Sequence, residues 1–317
     1  ARPVADVAAR TGASPEEVLA VLGRVRQTLF DVRKGRPRPY LDDKILTAWN
    51  GLMVAAFARA ARVLPTSVDA PRYRQAAETA ASFMRTELWQ ASSRTLLRRY
   101  REGDAAIEAY AEDYAYLIWG LLELFQATGG VEWLEWAIDL QSRQDGLFWD
   151  DKGGAWFSTT GQDPTVLLRL KEDYDGAEPA ASSVSALNVL TLAHLTGDAG
   201  HRDKAERTLA RFGARMGAAA RVVPMMMCAL STWHAPVMQI VVVGSRAEAL
   251  EAEIASHYLP FAVQVPVGPD TNQESLRHLL PFVDGMTAYG DGAVYVCRDF
   301  TCRQPVGTRE ALRQELA

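Results

Sequence analysis

Apolar residues run through the first 234 positions of this chain in two alternating patterns. In residues 43–63, Ile45, Leu46, Trp49, Leu52, Met53, Val54 and Phe57 cover nearly a whole helical circumference, which predicts a buried helix. Residues 73–88, beyond Pro65 and Pro71, keep a polar face of Arg74, Gln75, Glu78, Thr79 and Arg85, with Arg72 just ahead of it. That pattern predicts an amphipathic helix lying outside the first. The alternation recurs with residues 113–127 apolar and 133–142 amphipathic, then 182–195 apolar and 201–216 amphipathic. A shorter apolar stretch covers about 222–233.

Two of the apolar stretches echo each other. A shift of 70 residues carries Asp43 onto Asp113, Trp49 onto Trp119 and Leu52 onto Leu122. Spacing of this kind marks a repeated supersecondary unit. Between the helices run an irregular arm, 89–103, and an arm at 147–157 whose aromatic runs flank Gly153-Gly154, a hairpin signature. Inner apolar helix, outer amphipathic helix and arm, repeated, predict a mainly α fold, an (α/α) toroid. A closed ring of this type has six pairs; about four inner helices are countable, so the ring is expected to be incomplete on its N-terminal side.

Residues 1–34 read as two helices, the second opened by the capping box Ser14-Pro15-Glu16-Glu17. Its periodic run goes through Val18, Leu22, Val25 and Leu29. Residues 6–22 loosely follow a helix-turn-helix pattern, but the pattern is short and any capped helical pair can show it. Beyond Pro236 the period changes. Strands at 237–243, 261–267 and 293–297 alternate with helices at 246–257 and 274–280. The expected division is a toroid portion over 1–234 and a small C-terminal α/β unit over 235–317.

Composition narrows the classes of function. The chain has 317 residues, 48% hydrophobic and 23% charged, with a formal net charge of −5. That balance fits a soluble globular protein and argues against a nucleic-acid surface. The longest stretch without a charged side chain, 222–245, is interrupted by Pro224, His234, Pro236 and Gly244, so a helix followed by a strand is expected rather than a membrane span. No signal or transit segment is visible. Cys228, Cys297 and Cys302 form no disulfide framework, and a reducing, cytoplasmic setting is the expectation. The histidines lack metal-ligand spacing, and there is no phosphate loop or nucleophile elbow. Neither a metal nor a cofactor is expected.

If the repeated units share one orientation, Asp43, Asp113 and the acids Asp173, Asp175 and Glu178 all precede inner helices and should meet at one mouth of the toroid. Asp43, Asp113, Asp175 and Glu178 are the candidate catalytic acids. Trp49, Asn50, Tyr114, Trp149, Arg169 and Lys171 are the candidate substrate-binding residues. Carboxylates among aromatic platforms suit a sugar, and two carboxyl groups are the minimum equipment for glycosidic hydrolysis. The competing reading is structural. An acid in the first turn of a helix stabilises it by about 0.3–1 kcal/mol without any function, and Trp149 and Trp156 suit a hairpin core as well as a ligand platform.

The chain also resembles the spermatogenesis-associated protein 20 family, through residues 41–53 (Leu-Asp-Asp-Lys-Ile-Leu-Thr-Ala-Trp-Asn-Gly-Leu-Met) and Glu112-Asp113-Tyr114-Ala115. Phe148-Trp149-Asp150, Arg169-x-Lys171, Asp175-Gly176-Ala177-Glu178-Pro179 and Val294-Tyr295-Val296-Cys297 match in the same order. The resemblance implies a six-hairpin, glycosidase-like toroid related to sugar epimerases, with no settled reaction. The family normally begins with a thioredoxin-like domain bearing Cys-x-x-Cys, followed by the first toroid hairpins, and neither is found here. The family's Ser-Gly-Asn after Glu-Pro is replaced by Ala180-Ala181-Ser182. Two functional expectations follow: a carbohydrate-processing or carbohydrate-binding toroid that takes a sugar-like small molecule, or a non-catalytic scaffold for a thioredoxin-like domain. Whether the chain is an enzyme stays open at this point.

Overall fold

The computed structural model describes residues 2–244, 248–288, 290 and 292–316. It divides into two compact units, Ala1–Asp43 and Lys44–Ala317. The expected boundary near residue 235 is where helices give way to strands, but both sides of it lie within the second unit.

The first unit is a helical pair, α1 (Val4–Thr11) and α2 (Pro15–Lys34). Gly12 closes α1 with φ of 71°, a conformation glycine adopts without strain. The expected capping box is formed: the Glu17 N–H donates to Ser14 Oγ at 3.2 Å and the Ser14 N–H to the Glu17 carboxylate at 2.7 Å.

The second unit opens with β1 (Ile45–Leu46), α3 (Thr47–Val63) and α4 (Ala70–Phe83). Next come β2 (Trp89–Gln90), β3 (Thr95–Arg101) and β4 (Asp104–Glu108). Two hairpins follow, α5 (Ala111–Thr128) with α6 (Val131–Phe148), and α7 (Ala181–Thr196) with α8 (Ala199–Ala219). A last inner helix is α9 (Pro224–His234). Neighbouring inner helices pack in the series α3, α5, α7, α9, while α4, α6 and α8 back the first three. This is the mainly α, incomplete α/α toroid expected from the alternation.

The inner row is tightest between α3 and α5. A Cβ on Gly51 would lie 2.6 Å from the Leu117 backbone nitrogen, and one on Gly120 would lie 2.7 Å from the Gly51 carbonyl oxygen. These two glycines let the backbones touch. Helices α5 and α7 are buried nearly all round, in keeping with their sequences. Helix α3 is not. Its buried positions are Thr47, Ala48, Gly51, Val54, Ala55 and Ala58, while Trp49 and Met53 are exposed. As the first member of the inner row it has α4 behind it and α5 on one side, so its apolar residues outnumber the neighbours that could cover them.

The echo between residues 43 and 113 does not correspond to a structural register. Helix α3 opens at Thr47, beyond β1, whereas Asp113 already lies in the first turn of α5. Trp49 is in the first turn of α3, and Trp119 is in the middle of α5. The arm at 89–103, expected to be irregular, is an antiparallel ribbon in which β3 pairs with β1, β2 and β4. Leu96 and Leu97 anchor it in the core, and Glu102-Gly103, both at positive φ, make its two-residue turn. At the second arm, α6 runs on through Phe148, and one bridge joins Trp149 to Trp156.

The C-terminal part holds β5 (Met238–Val243), α10 (Glu248–Ala255), β6 (Ala262–Val267) and α11 (Gln273–Leu279). It ends with β7 (Ala293–Arg298), β8 (Thr301–Cys302) and α12 (Arg309–Leu316). The start expected for the first of these helices, Arg246, lies outside the described residues. The strand order is β6-β5-β7-β8, with β5 parallel to β6 and antiparallel to β7. Where no disulfide framework was expected, Cys297 and Cys302 form one disulfide across β7 and β8, because the strand pairing sets them directly opposite each other. Among the described residues, no helix is long and apolar enough to cross a membrane.

This sheet sits against the C-terminal ends of the inner helices. Gln126 of α5 accepts the Gln264 N–H at 3.0 Å, and Gln239 donates to the His194 carbonyl of α7 at 3.0 Å. The N-terminal ends of α5 and α7 therefore form the mouth away from the sheet.

Candidate functional site

At that mouth lie acids of two kinds. Asp113 is wholly buried. Its Oδ1 accepts the Ala48 N–H at 3.1 Å, and its Oδ2 accepts the Tyr110 N–H at 2.9 Å and Arg98 Nη1 at 2.9 Å. One carboxylate thus ties the start of α3, the first turn of α5 and strand β3 together. Asp175 repeats the device. Its Oδ1 accepts the Ala180 N–H, at the cap of α7, at 2.8 Å, and its Oδ2 accepts the Met225 N–H, in the first turn of α9, at 2.8 Å. Both satisfy helix-terminal N–H groups that would otherwise be buried without partners.

Burial pushes the Asp113 carboxyl up to about 6, against the pull of Arg98 and the Tyr110 N–H. A raised carboxyl at a cleft is a common sign of chemistry. Here solvent does not reach it and each oxygen is already engaged, so its geometry is that of a clamp.

The second kind of acid is open. Glu178 is exposed and accepts the Trp49 indole N–H at 2.7 Å. Glu112, half-buried in the first turn of α5, pairs with Arg98 at 2.8 Å. Glu172 is exposed on the segment that leads to Glu178. Partial burial, and then the Glu112 and Glu178 carboxylates, raise the Glu172 carboxyl above its ordinary value. Beneath them, the buried Tyr116 hydroxyl donates to the Pro179 carbonyl and fixes this segment to α5. Burial, then Glu178, Glu112, Glu172 and Asp175, push that phenol upward too. Glu112, Glu172 and Glu178 therefore share one neighbourhood. Trp49, Tyr110 and Tyr174 add exposed rings, and the Arg98 guanidinium lies 4.8 Å from the Tyr110 ring centre.

The remaining expected residues have other surroundings of their own. Asp43 closes the first compact unit as an exposed residue of irregular chain. Asn50 donates to the Leu46 carbonyl at 2.9 Å and lines a surface groove with Arg72, Gln75 and Thr79 of α4. Tyr114 is buried, with its hydroxyl accepting the Leu96 N–H at 3.3 Å. Trp149 packs edge-on to Trp156 with ring centres 4.8 Å apart, and Arg207 lies over it.

Arg169 and Lys171 hold the arm that follows α6. Arg169 donates to the Thr159 and Leu147 carbonyls at 2.9 and 3.2 Å. Lys171 pairs with Asp150 at 2.6 Å, and its hydrogen bond holds that carboxyl down at about 2. Glu112, Glu172, Arg98, Tyr110 and Tyr116 were not singled out from the sequence. For the two glutamates the one available signal was adjacency to chosen positions, since Glu112 precedes Asp113 and Glu172 follows Lys171; Arg98, Tyr110 and Tyr116 carried none. Among the described residues there is no group of three or more His, Cys, Asp or Glu side chains placed to hold a metal ion.

Comparison with known proteins places the chain beside one set of relatives. It is 37% identical over 323 residues to human spermatogenesis-associated protein 20, covering 98% of this chain and 40% of that protein. It is 38% identical to the Rattus norvegicus protein of the same name, over 97% of this chain and 40% of that one. An uncharacterized Caenorhabditis elegans protein is 29% identical over 95% of this chain and 41% of its own length. The chain thus spans about two fifths of the curated relatives it matches. No protein-family model matches it. Among solved structures, it is similar to a cellobiose 2-epimerase from Spirochaeta thermophila, with TM-score 0.43, 18% identity, and 53% of this chain and 43% of that one covered. A GH76 α-mannanase from Bacteroides thetaiotaomicron gives TM-score 0.42 and 13% identity, over 54% of this chain and 42% of that one.

Proposed function

We propose, from the premise that this chain is a homologue of spermatogenesis-associated protein 20 along nearly its whole length, that its open mouth binds and processes a sugar-like small molecule. The observation that carries the reading is the company kept by Glu178: an exposed carboxylate joined to the exposed Trp49 indole, with Glu172 and Glu112 beside it. An indole face takes the C–H face of a pyranose, and carboxylates accept from its hydroxyls. The N-terminal ends of α5 and α7 add positive potential beneath the acids.

The chemistry available is acid–base work by a pair of carboxyl groups. Glu172, whose proton is held more firmly than usual, serves as donor to a leaving oxygen, and Glu178 serves as the partner base or nucleophile. Asp113 and Asp175, expected from sequence to be catalytic, are assigned to the scaffold under this reading. Asp43 belongs to the other unit and is given no role in it.

A thermal-shift screen against neutral mono- and disaccharides tests the proposal. A ligand at a hundred times its Kd stabilises the native state by about 2.7 kcal/mol. At least one sugar should raise the melting temperature of the native chain, and Glu178→Gln and Trp49→Ala should remove the shift. A panel that leaves the native chain unmoved would sink the reading.

A second reading, a non-catalytic scaffold for a thioredoxin-like domain, draws on a different observation. Leu167, Leu168 and Leu170 stand exposed in the segment between α6 and α7, as docking residues do. Capture of a thioredoxin-like domain by the native chain, lost on Leu167→Ser/Leu168→Ser, would favour it over the sugar site.

A further inference from the structure

Helix α2 carries a feature that the sugar site does not use. Its apolar residues recur in steps of four and three, Val18, Leu22, Val25, Leu29 and Val32, which is the seam of a coiled coil. Val18 is buried, but Leu22, Val25, Leu29 and Val32 are 52%, 48%, 64% and 58% exposed. Leu19 and Phe30, also exposed, widen the stripe. Scattered apolar residues on a surface need no explanation, but a continuous seam over about three turns of helix does.

The charges beside the seam decide what fits it. Arg26 and Arg33 occupy its flanking positions on one side, while Val21 and Thr28 on the other side carry no charge. Asp31 is already engaged on its own helix, through Gln27 at 3.0 Å and Lys34 at 3.9 Å. A second copy aligned in parallel would set each arginine against an uncharged residue. One aligned antiparallel would set arginine against arginine, which is unfavourable. A helix with acids at its flanking positions pairs with both.

We infer that α2 is a docking helix for another protein, whose amphipathic helix brings an apolar seam flanked by Glu or Asp. The apolar seam supplies most of the affinity, and Arg26 and Arg33 select the partner's charge and fix the register.

Two labelled three-heptad peptides test this on the full chain, one with Leu at the seam and Glu at the flanks, the other with Lys at the flanks. In fluorescence polarisation the Glu peptide should bind at least tenfold more tightly than the Lys peptide and weaken as salt rises. Leu22→Glu/Leu29→Glu should cost at least tenfold in affinity with the circular dichroism unchanged. Arg26→Glu/Arg33→Glu, a surface change that spares the seam, should invert the preference. Equal binding of both peptides, or of neither, overturns the inference. So does dimerisation of the chain alone that Leu22→Glu/Leu29→Glu abolishes, which would make a second copy the occupant. Displacement of the Glu peptide by duplex DNA would overturn it as well.

Discussion

Asp113 and Glu178 stand at the same mouth of the toroid, and each is a carboxylate in reach of a neighbouring element, yet they are put to different uses. Asp113 has no exposure and spends its oxygens on two backbone N–H groups and a guanidinium. Glu178 is exposed and holds one indole N–H. Asp175 sides with the first and Glu172 with the second. The perturbed pKa does not separate the groups, since Asp113 and Glu172 are both raised. Access and unspent hydrogen-bonding capacity do separate them. A carboxylate whose lone pairs are consumed by helix ends supports the fold, and one facing water beside aromatic rings is available to a ligand.

The sharpest way to break this contrast is to truncate the buried acid. Asp113→Ala leaves two N–H groups without their partner and Arg98 with Glu112 alone, and should cost about 3–5 kcal/mol in urea unfolding. A cost below about 1 kcal/mol would show that Asp113 is not a clamp. The same residue has a pH signature. Its folded carboxyl titrates near 6 and its unfolded one near 3.8, so the folded state binds the extra proton between those values. Its contribution is fully present below the lower value and is lost as pH rises through the upper one, a fall of about 3 kcal/mol. Stability curves at pH 4 and pH 7 should show this component in the native chain and lose it in Asp113→Asn. Asp175→Ala, which frees the Ala180 and Met225 N–H groups, should cost about 1–3 kcal/mol by the same measurement. The smallest effect belongs to the rim. Glu172→Gln and Glu178→Gln should shift stability by no more than about 0.5 kcal/mol while removing sugar binding.

Local rules were legible in the sequence. The Ser14 capping box, the alternation of inner and outer helices and the strands beyond Pro236 are set by residues close in the chain, and each formed where expected. Misread features depended on partners far away. Helix α3 has the apolar pattern of a buried helix, but α4 and α5 cover only part of it, leaving Trp49 and Met53 exposed. The match of Asp43 to Asp113 was a likeness of motif, since Asp43 stands four residues ahead of α3 while Asp113 lies within the first turn of α5.

The site was half legible for the same reason. An acid near a helix start could be recognised from sequence. Whether its oxygens would meet a neighbour's N–H groups depended on α3 reaching Asp113 and α9 reaching Asp175. Arg169 and Lys171 looked like ligand contacts by residue type, and the fold of the arm spent both on its own carbonyls and on Asp150. Glu112 and Glu172 went unnoticed because they lie about sixty residues apart, and only the fold brings the start of α5 to the segment that carries Glu172 and Glu178.

The most direct test is saturation-transfer NMR of neutral disaccharides with the native chain, Glu178→Gln and Asp175→Asn, each held well below its melting temperature. Transfer to a sugar should be seen with the native chain, vanish in Glu178→Gln at unchanged melting temperature, and persist in Asp175→Asn despite a lowered one. Transfer that survives Glu178→Gln, or that no sugar shows with the native chain, would contradict the division between supporting and available acids.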